Sequence, residues 1–286
     1  RRVRTQVTLT GGEPFVNEGL TDLIDAIVRA GWRFAVLTNG TLLDRERVRW
    51  LRRRKPRFVQ VSVEGGQATH DRIRGSGTYR RALRAVRLLV RAGIPTLLAF
   101  TAHRGNASEF ASVARAGCRL GVTRVWADRL IPCGAGTALH DDVLTPEETR
   151  TLFEEMARIR SEAASNSSCR TEIAMHRALQ FLVGGGPAYR CSAGRSLLTL
   201  LPDGDVLPCR RLPLRVGNVR ETPLAAIYEG SDLLRRLRDP DRVADGCQGC
   251  AYALVCGGGL RCLAHATYGD PFRADPGCWR AHGSAT

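Results

Sequence analysis

The first half of the chain switches between two hydrophobic periods. Apolar residues recur every three or four positions, then a short unbroken apolar run follows, and the cycle repeats. The first helix-spaced set is Leu20, Leu23, Ile24, Ile27 and Val28, with Asn17 placed as its N-cap and Gly31 as its stop. The tripeptide Arg-Ala-Gly occurs at 29–31, 91–93 and 115–117, and each copy is expected to end a helix. A strand-like run begins within a few residues of each copy: Phe34 to Leu37, Thr96 to Phe100, and Val122 to Ala127. Val7-Thr8-Leu9 and Phe58 to Val61 complete the set. Five strands near 5–10, 33–38, 57–63, 95–101 and 122–130, separated by helices, predict right-handed βαβ crossovers and a parallel sheet, as a barrel or an open wound sheet.

The pattern changes further on. Thr145, Pro146 and Glu148 form a capping box, and Leu152, Phe153, Met156 and Ile159 carry the helix to about residue 163. The polar stretch from Ser161 to Arg170 predicts a break between domains. After Tyr189 no βαβ unit remains. Pro202-Asp203-Gly204-Asp205 between Leu197–Leu201 and Val206-Leu207 predicts a hairpin.

Composition narrows the class. The 286 residues carry 43 basic and 28 acidic side chains, a net charge of +15. Lys55 is the only lysine, so arginine bias accounts for the charge. Arg45 to Arg57 form one dense block. Arg80, Arg81, Arg84, Arg87 and Arg91 line a helix whose other face holds Leu83, Val86, Leu89 and Val90. Both are expected to be solvated faces, because no aromatic residues interleave as base-stacking platforms would. No apolar run approaches the ~18 residues of a membrane span. The start, Arg1-Arg2-Val3-Arg4, shows no signal peptide, so a cytoplasmic location is expected.

Active sites on parallel sheets form at the C-terminal strand ends. Here those ends are Gly11-Gly12-Glu13-Pro14, Thr38-Asn39-Gly40 and Ser62-Val63-Glu64-Gly65, with His70-Asp71-Arg72-Ile73-Arg74-Gly75 close behind. Glu13 can accept from an ammonium group, Asn39 and Ser62 can bond a ribose or carboxylate, and Arg74 can pair with a carboxylate. Three polar strand ends in one sheet favour a shared small-molecule site. His70 is expected to be a structural loop residue, and the six histidines form no ligand-spaced pair.

Seven of ten cysteines fall in the last third, as C-x12-G-x4-C at 191 to 209, then C-x2-C-x5-C-x5-C from 247 to 262, then Cys278. Disulfides are not expected in a reducing compartment. The spacing suits zinc, through Cys247, Cys250, Cys256 and Cys278, as well as it suits iron–sulfur clusters.

Together, GGEP (11–14), TNG (38–40), SVEG (62–65), HDRIRG (70–75), Gly217-Asn218-Val219 and the seven-cysteine tail resemble a radical S-adenosylmethionine enzyme with a SPASM domain. The resemblance implies an α/β fold: a partial (β/α)6 TIM-like barrel lacking its first strand, then a small cysteine-rich α+β domain with a β-hairpin. It implies a radical SAM barrel over 1–164, a bridge over 165–188 and a SPASM domain over 189–282. S-adenosylmethionine would lie on Gly11, Gly12, Glu13, Pro14, Thr38, Asn39, Ser62, Glu64 and Arg74. One auxiliary 4Fe–4S cluster would take Cys247, Cys250, Cys256 and Cys278, and a second Cys191, Cys209 and Cys262. A peptide or protein substrate and an electron donor such as flavodoxin or ferredoxin are also implied.

Four features depart from the family pattern. The family's C-x3-C-x2-C loop for the catalytic cluster is absent upstream of Gly11, which predicts a fragment or a mis-started product. Glu64 stands where the family has Asp. Five residues separate Cys256 and Cys262 where three are usual, and the Gly257-Gly258-Gly259 run can absorb the excess. The second cluster has only three cysteines: Cys118, Cys133 and Cys169 are candidates for a fourth ligand but are each expected to be small buried thiols, and an open iron site that binds substrate or water is the alternative. Arg210, next to Cys209, argues against the sulfatase-maturing type. A non-catalytic peptide-binding protein with a structural metal module is the rival reading.

Overall fold

The computed structural model describes residues 5–281. Arg1 to Arg4, and His282 at the end of the expected second domain, lie outside the described residues.

The chain divides into two compact units. The first comprises residues 1–128 and 155–175, the second residues 129–154 and 176–286. The first unit is built on a six-stranded sheet in sequence order: β1 (Gln6–Leu9), β2 (Arg33–Thr38), β3 (Val59–Ser62), β4 (Thr96–Ala102), β5 (Arg124–Arg129) and β6 (Glu172–Ala174). Val7 pairs with Phe34, Val36 with Val59, Val61 with Leu98, and Val125 with Ile173, all in parallel register. Phe34, Val36, Val59, Val61, Leu98 and Phe100 are buried. Such continuous apolar strands suit a parallel sheet covered on both faces.

The connecting helices are α1 (Leu20–Arg29), α2 (Arg45–Arg54), α3 (Gln67–Arg74), α4 (Thr78–Arg91) and α5 (Phe110–Leu120), and α6 (Pro146–Ser165) precedes β6. The capping box opens α6 as expected: Glu148 N donates to Thr145 Oγ1 at 3.2 Å and Thr145 N to Glu148 Oε2 at 2.9 Å. Helix α4 buries Ala82, Ala85, Val86 and Leu89, while Leu83 and Val90 are only half-buried, and its five arginines face solvent.

Several local expectations are corrected. Helix α1 starts at Leu20 with Gly19 as N-cap, and the Asn17 side chain accepts from Gly19 N at 2.8 Å instead. Gly117 lies inside α5 and does not end it. A Cβ there would stand 2.4 Å from Val125 Cγ2, so this glycine serves the close approach of α5 to β5. The helix ends at Gly121, in the left-handed region at φ 68°. The polar stretch after Ser161 is not a domain break: α6 continues to Ser165, and β6 joins the main sheet.

In the second unit, α7 (Phe181–Gly184) precedes a three-stranded antiparallel sheet, β7 (Thr199–Leu200), β8 (Asp205–Leu207) and β9 (Gly217–Asn218). The expected hairpin joins β7 to β8. Asn218 fastens it, donating to Asp203 O at 3.2 Å and Asp205 Oδ1 at 2.8 Å. Helices α8 (Leu224–Gly230), α9 (Asp232–Arg238), α10 (Ala253–Cys256) and α11 (Arg261–Tyr268) are short, and loops form much of the rest.

Candidate functional site: strand tips and cysteine pockets

The C-terminal tips of β1 to β4 carry the first candidate site. Glu13 caps a 3-10 turn at Pro14–Val16 and uses both carboxylate oxygens. Oε1 accepts from Thr38 Oγ1 at 2.7 Å and from Phe15 N at 3.3 Å, and Oε2 accepts from Asn39 N at 2.7 Å. The tips of β1 and β2 are therefore joined through one carboxylate. Asn39 Oδ1 is taken by Thr41 N and Thr41 Oγ1, at 2.8 and 2.7 Å, which leaves its amide donors for another partner. The Ser62 hydroxyl, at the tip of β3, makes no hydrogen bond among the described residues. Gly11 and Gly12 are exposed, and Pro14 is buried beneath them in sequence.

Glu64 and Arg74, two of the expected cofactor residues, pair with each other. Glu64 is 2% exposed. Its Oε1 accepts from Arg74 Nε at 2.9 Å and Nη2 at 2.5 Å, and its Oε2 accepts from Thr101 N at 2.8 Å. The longer Glu side chain thus reaches the tip of β4. Asn106, which sequence reasoning missed, completes this joint: its amide donates to Thr101 O at 3.0 Å and Glu64 O at 3.3 Å, and its oxygen accepts from His103 N at 2.8 Å. Glu109, also missed, accepts from Gly66 N and Thr69 Oγ1, both at 3.0 Å.

His70 is structural as expected, although it sits on α3 and not in a loop. Its Nδ1 accepts from Glu64 N at 3.1 Å. Burial, helped by the Arg74 charge, pushes its pKa down to about 4, so the ring is neutral at pH 7 and serves as an acceptor. Asp71 closes the α3–α4 turn by accepting from Gly77 N and Tyr79 N.

The second candidate site lies in the cysteine-rich unit. Cys247, Cys250, Cys256 and Cys278 line one pocket, with Asp275 and Arg280. All four thiols are free of disulfides. Burial pushes Cys247 and Cys256 up to about 11 and raises Cys278 as well. Four clustered thiols are a donor set for a metal, which displaces their protons on binding. Among the described residues no three His, Cys, Asp or Glu side chains converge tightly enough to hold a single metal ion. The backbone N–H groups of Gly258 and Gly259 partly offset the rise at Cys256, and those of Arg280 and Ala281 at Cys278.

A buried ion pair braces this pocket. Asp275 Oδ1 accepts from Arg129 Nη1 at 2.7 Å and Gly277 N at 2.9 Å, and its Oδ2 accepts from Arg129 Nη2 at 2.6 Å and Leu260 N at 2.8 Å. The two side chains are 2% and 0% exposed. One carboxylate therefore ties the Cys256 loop to the Cys278 loop. Gly259 must be glycine twice over: its φ is +79°, and a Cβ would stand 2.4 Å from Asp275 Cβ. Neither Arg129 nor Asp275 carried a sequence signal, since 146 residues separate them.

Cys209 and Cys262 are buried in a separate core with Leu212, Leu234, Leu263 and Phe272. Cys191 and Cys133 are half-buried and pack against the same core. Cys118 and Cys169 are not free thiols. They form a disulfide in the first unit, with Cα atoms 5.0 Å apart, which corrects the expectation that both are unpaired. Helix α5 and the segment before β6 bring them together.

Comparison with known proteins bears on both sites. The Radical SAM superfamily model matches residues 1–115, and the SPASM iron–sulfur cluster-binding domain model matches residues 191–251. An AdoMet-dependent heme synthase of Methanosarcina barkeri is 30% identical over 290 residues, covering 94% of this chain and 81% of the relative. A PqqA peptide cyclase of Granulibacter bethesdensis is 27% identical over 284 residues, covering 96% of this chain and 74% of the relative. Among solved structures, Streptococcus suis SuiB bound to S-adenosylmethionine superposes with a TM-score of 0.75 at 15% identity, over 96% of this chain and 66% of SuiB. AdoMet-bound anSMEcpe gives 0.76 at 18% identity, over 96% of this chain and 76% of that one. These two share the fold. No helix among the described residues is long and apolar enough to cross a membrane. The chain belongs to the radical SAM enzymes with a SPASM domain, a family that uses S-adenosylmethionine and iron–sulfur clusters.

Proposed function

We propose that this enzyme modifies a peptide or protein substrate, with S-adenosylmethionine at the strand tips and two auxiliary 4Fe–4S clusters in the cysteine-rich unit. The observation that carries the cluster assignment is the gathering of Cys247, Cys250, Cys256 and Cys278 around one pocket. S-adenosylmethionine would supply hydrogen-atom abstraction by a 5′-deoxyadenosyl radical once one electron from the family's catalytic 4Fe–4S cluster cleaves it, and the cysteines of that cluster's loop are not among these 286 residues.

The residues at the strand tips fit a ligand that brings both a cationic amino group and a ribose. Glu13 presents a carboxylate already fixed by Thr38 and Asn39, so it accepts an ammonium group without reorganising. The unused Asn39 amide and Ser62 hydroxyl are the groups left for polar contacts. Gly11 and Gly12 let backbone approach the ligand, and Pro14 fixes the turn. Glu64 and Arg74 shape the wall between β3 and β4 and hold it rigid.

For the second cluster, Cys191, Cys209 and Cys262 gain a fourth ligand in Cys133. The Cys118–Cys169 bridge removes the two other candidates, and the eight cysteines outside it then divide into two sets of four. A reduced flavodoxin or ferredoxin is the electron donor we assign. We assign the enzyme to the cytoplasm, a reducing compartment that suits oxygen-sensitive clusters.

The peptide reading draws support from relatives named PqqA peptide cyclase and from SuiB, which was also solved bound to its precursor peptide SuiA. A tetrapyrrole substrate is the second reading, because the 30% identical relative is a heme synthase. Anaerobic turnover separates them. The protein expressed from its full gene is reduced, given S-adenosylmethionine, and offered a precursor peptide encoded beside the gene or a carboxylated heme precursor. Peptide-dependent 5′-deoxyadenosine with a mass change on the peptide is expected. The same result with the heme precursor alone overturns the peptide reading.

A further inference from the structure

One wall of the Cys247, Cys250, Cys256 and Cys278 pocket comes from a segment that neither site has used. Leu179, Phe181 and Leu182 line the same pocket as the four cysteines, and so does Tyr252. The Phe181 and Tyr252 rings meet edge to face, with centroids 5.2 Å apart. The Arg280 guanidinium stands 5.3 Å from the centre of the Tyr252 ring. The backbone is strained to place this wall. Leu179 lies in the left-handed region at φ 68°, which leucine seldom adopts, and its side chain is 1% exposed. Such a conformation persists only where its surroundings fix it. Here the buried Gln180 does so: its Oε1 accepts from Arg177 N at 2.9 Å, its own N donates to Arg177 O at 3.1 Å, and its O accepts from Gly184 N at 2.8 Å. The turn leads straight into α7, whose first residues are Phe181 and Leu182.

We propose that Leu179, Phe181 and Leu182, with Tyr252, form an apolar cover that keeps water off the cluster of the Cys247 set and lowers its reduction potential. This rests on the assignment of an iron–sulfur cluster to that set. In a 4Fe–4S centre the four thiolates outweigh the charge of the iron–sulfur core, so the bound cluster is a net anion. Reduction adds a further negative charge, which water stabilises better than hydrocarbon does. Solvent exposure is accordingly one of the factors that set these potentials. Leu179 is the deep part of the cover. Phe181 is half-buried, so shortening its ring opens the pocket to solvent. Cys133, Cys191, Cys209 and Cys262 do not line this pocket, so the effect is confined to one cluster.

The test uses the wild-type chain, Phe181→Ala and Phe181→Leu, each reconstituted anaerobically, with iron and acid-labile sulfide counted first. Each cluster is then titrated under electron paramagnetic resonance, and the covered one is identified as the signal that Cys256→Ala removes. Equal cluster content is expected in all three chains. In Phe181→Ala the covered midpoint is expected to rise by at least a tenfold change in the reduction equilibrium, about 59 mV for a one-electron couple. The other midpoint stays in place, and a ferrous chelator strips the covered cluster at least tenfold faster. Phe181→Leu keeps an apolar side chain and is expected within threefold of wild type in both readings. The proposal is overturned if the covered midpoint stays or falls, if both midpoints rise alike, or if the Leu variant shifts as far as the Ala variant. Should Phe181→Ala fail to hold clusters, Leu182→Ala is read in the same way, and loss of clusters in both assigns the segment to packing alone. A wild-type chain holding zinc without sulfide overturns the cluster assignment itself, a result distinct from an unmoved midpoint in a chain that holds iron.

Discussion

The two candidate sites are built in opposite ways. At the strand tips, regular structure comes first: β1 to β4 end side by side, and Glu13 and Glu64 each cross-link neighbouring tips through hydrogen bonds to backbone and side chains. Those bonds are made within the chain, so the fold itself holds the tips together. In the cysteine-rich unit, short helices and glycine-rich loops gather thiols that the protein environment keeps protonated, and one buried ion pair braces the loops. Under the proposed cluster assignment the ligand there becomes part of the structure, so preorganised binding and metal-completed folding would coexist in one chain.

The sharpest way to break this contrast is to remove the brace. Asp275→Ala strands the Arg129 guanidinium in the interior and is expected to destabilise the cysteine-rich unit by about 3–5 kcal/mol. Denaturant titration that resolves the two units checks this, with unit one unchanged, and an unaltered unfolding curve contradicts the bracing role.

Next comes acidification. His70 is neutral in the folded state at about 4, while an unfolded histidine titrates near 6.5. The unfolded chain binds the extra proton, so stability of the first unit rises with pH between these values and falls as pH drops from about 6.5 to 4, by about 2–3 kcal/mol in all. Unfolding free energies measured between pH 7 and 4 check the slope. A His70→Asn variant should lose this component, and persistence of the full slope argues against His70 as its source.

Glu64→Gln is expected to cost about 1–3 kcal/mol in the first unit, since a charge-assisted pair to a partly exposed arginine is replaced by a neutral one. The smallest effect is assigned to Thr38→Val. It removes one hydroxyl from Glu13 and is expected to cost about 1 kcal/mol in stability. It should weaken S-adenosylmethionine binding with the clusters left intact. Equilibrium dialysis measures that loss, and unchanged affinity separates Thr38 from the cofactor site.

Much of the first unit was legible because its strands are continuous apolar runs and its helices carry one apolar face. The strand Arg33–Thr38 matches the expected bounds. What escaped was set by tertiary approach. Gly117 looks like a helix stop in sequence, yet its role is contact with Val125. Strand β6 has three residues and follows a polar stretch, so no period marks it. Asn106 and Glu109 act through loop geometry that no spacing encodes. The cysteine spacing announced a metal domain, but Arg129, 146 residues from Asp275, and the pairing of Cys118 with Cys169, 51 residues apart, depend on the folded chain.

The central claim is that the eight cysteines outside the disulfide hold two four-iron clusters. Iron, zinc and acid-labile sulfide counted on the anaerobically purified 286-residue chain test it most directly. About eight irons and eight sulfides with no zinc are predicted, falling by about four of each in a Cys256→Ala variant. Zinc without sulfide contradicts the account.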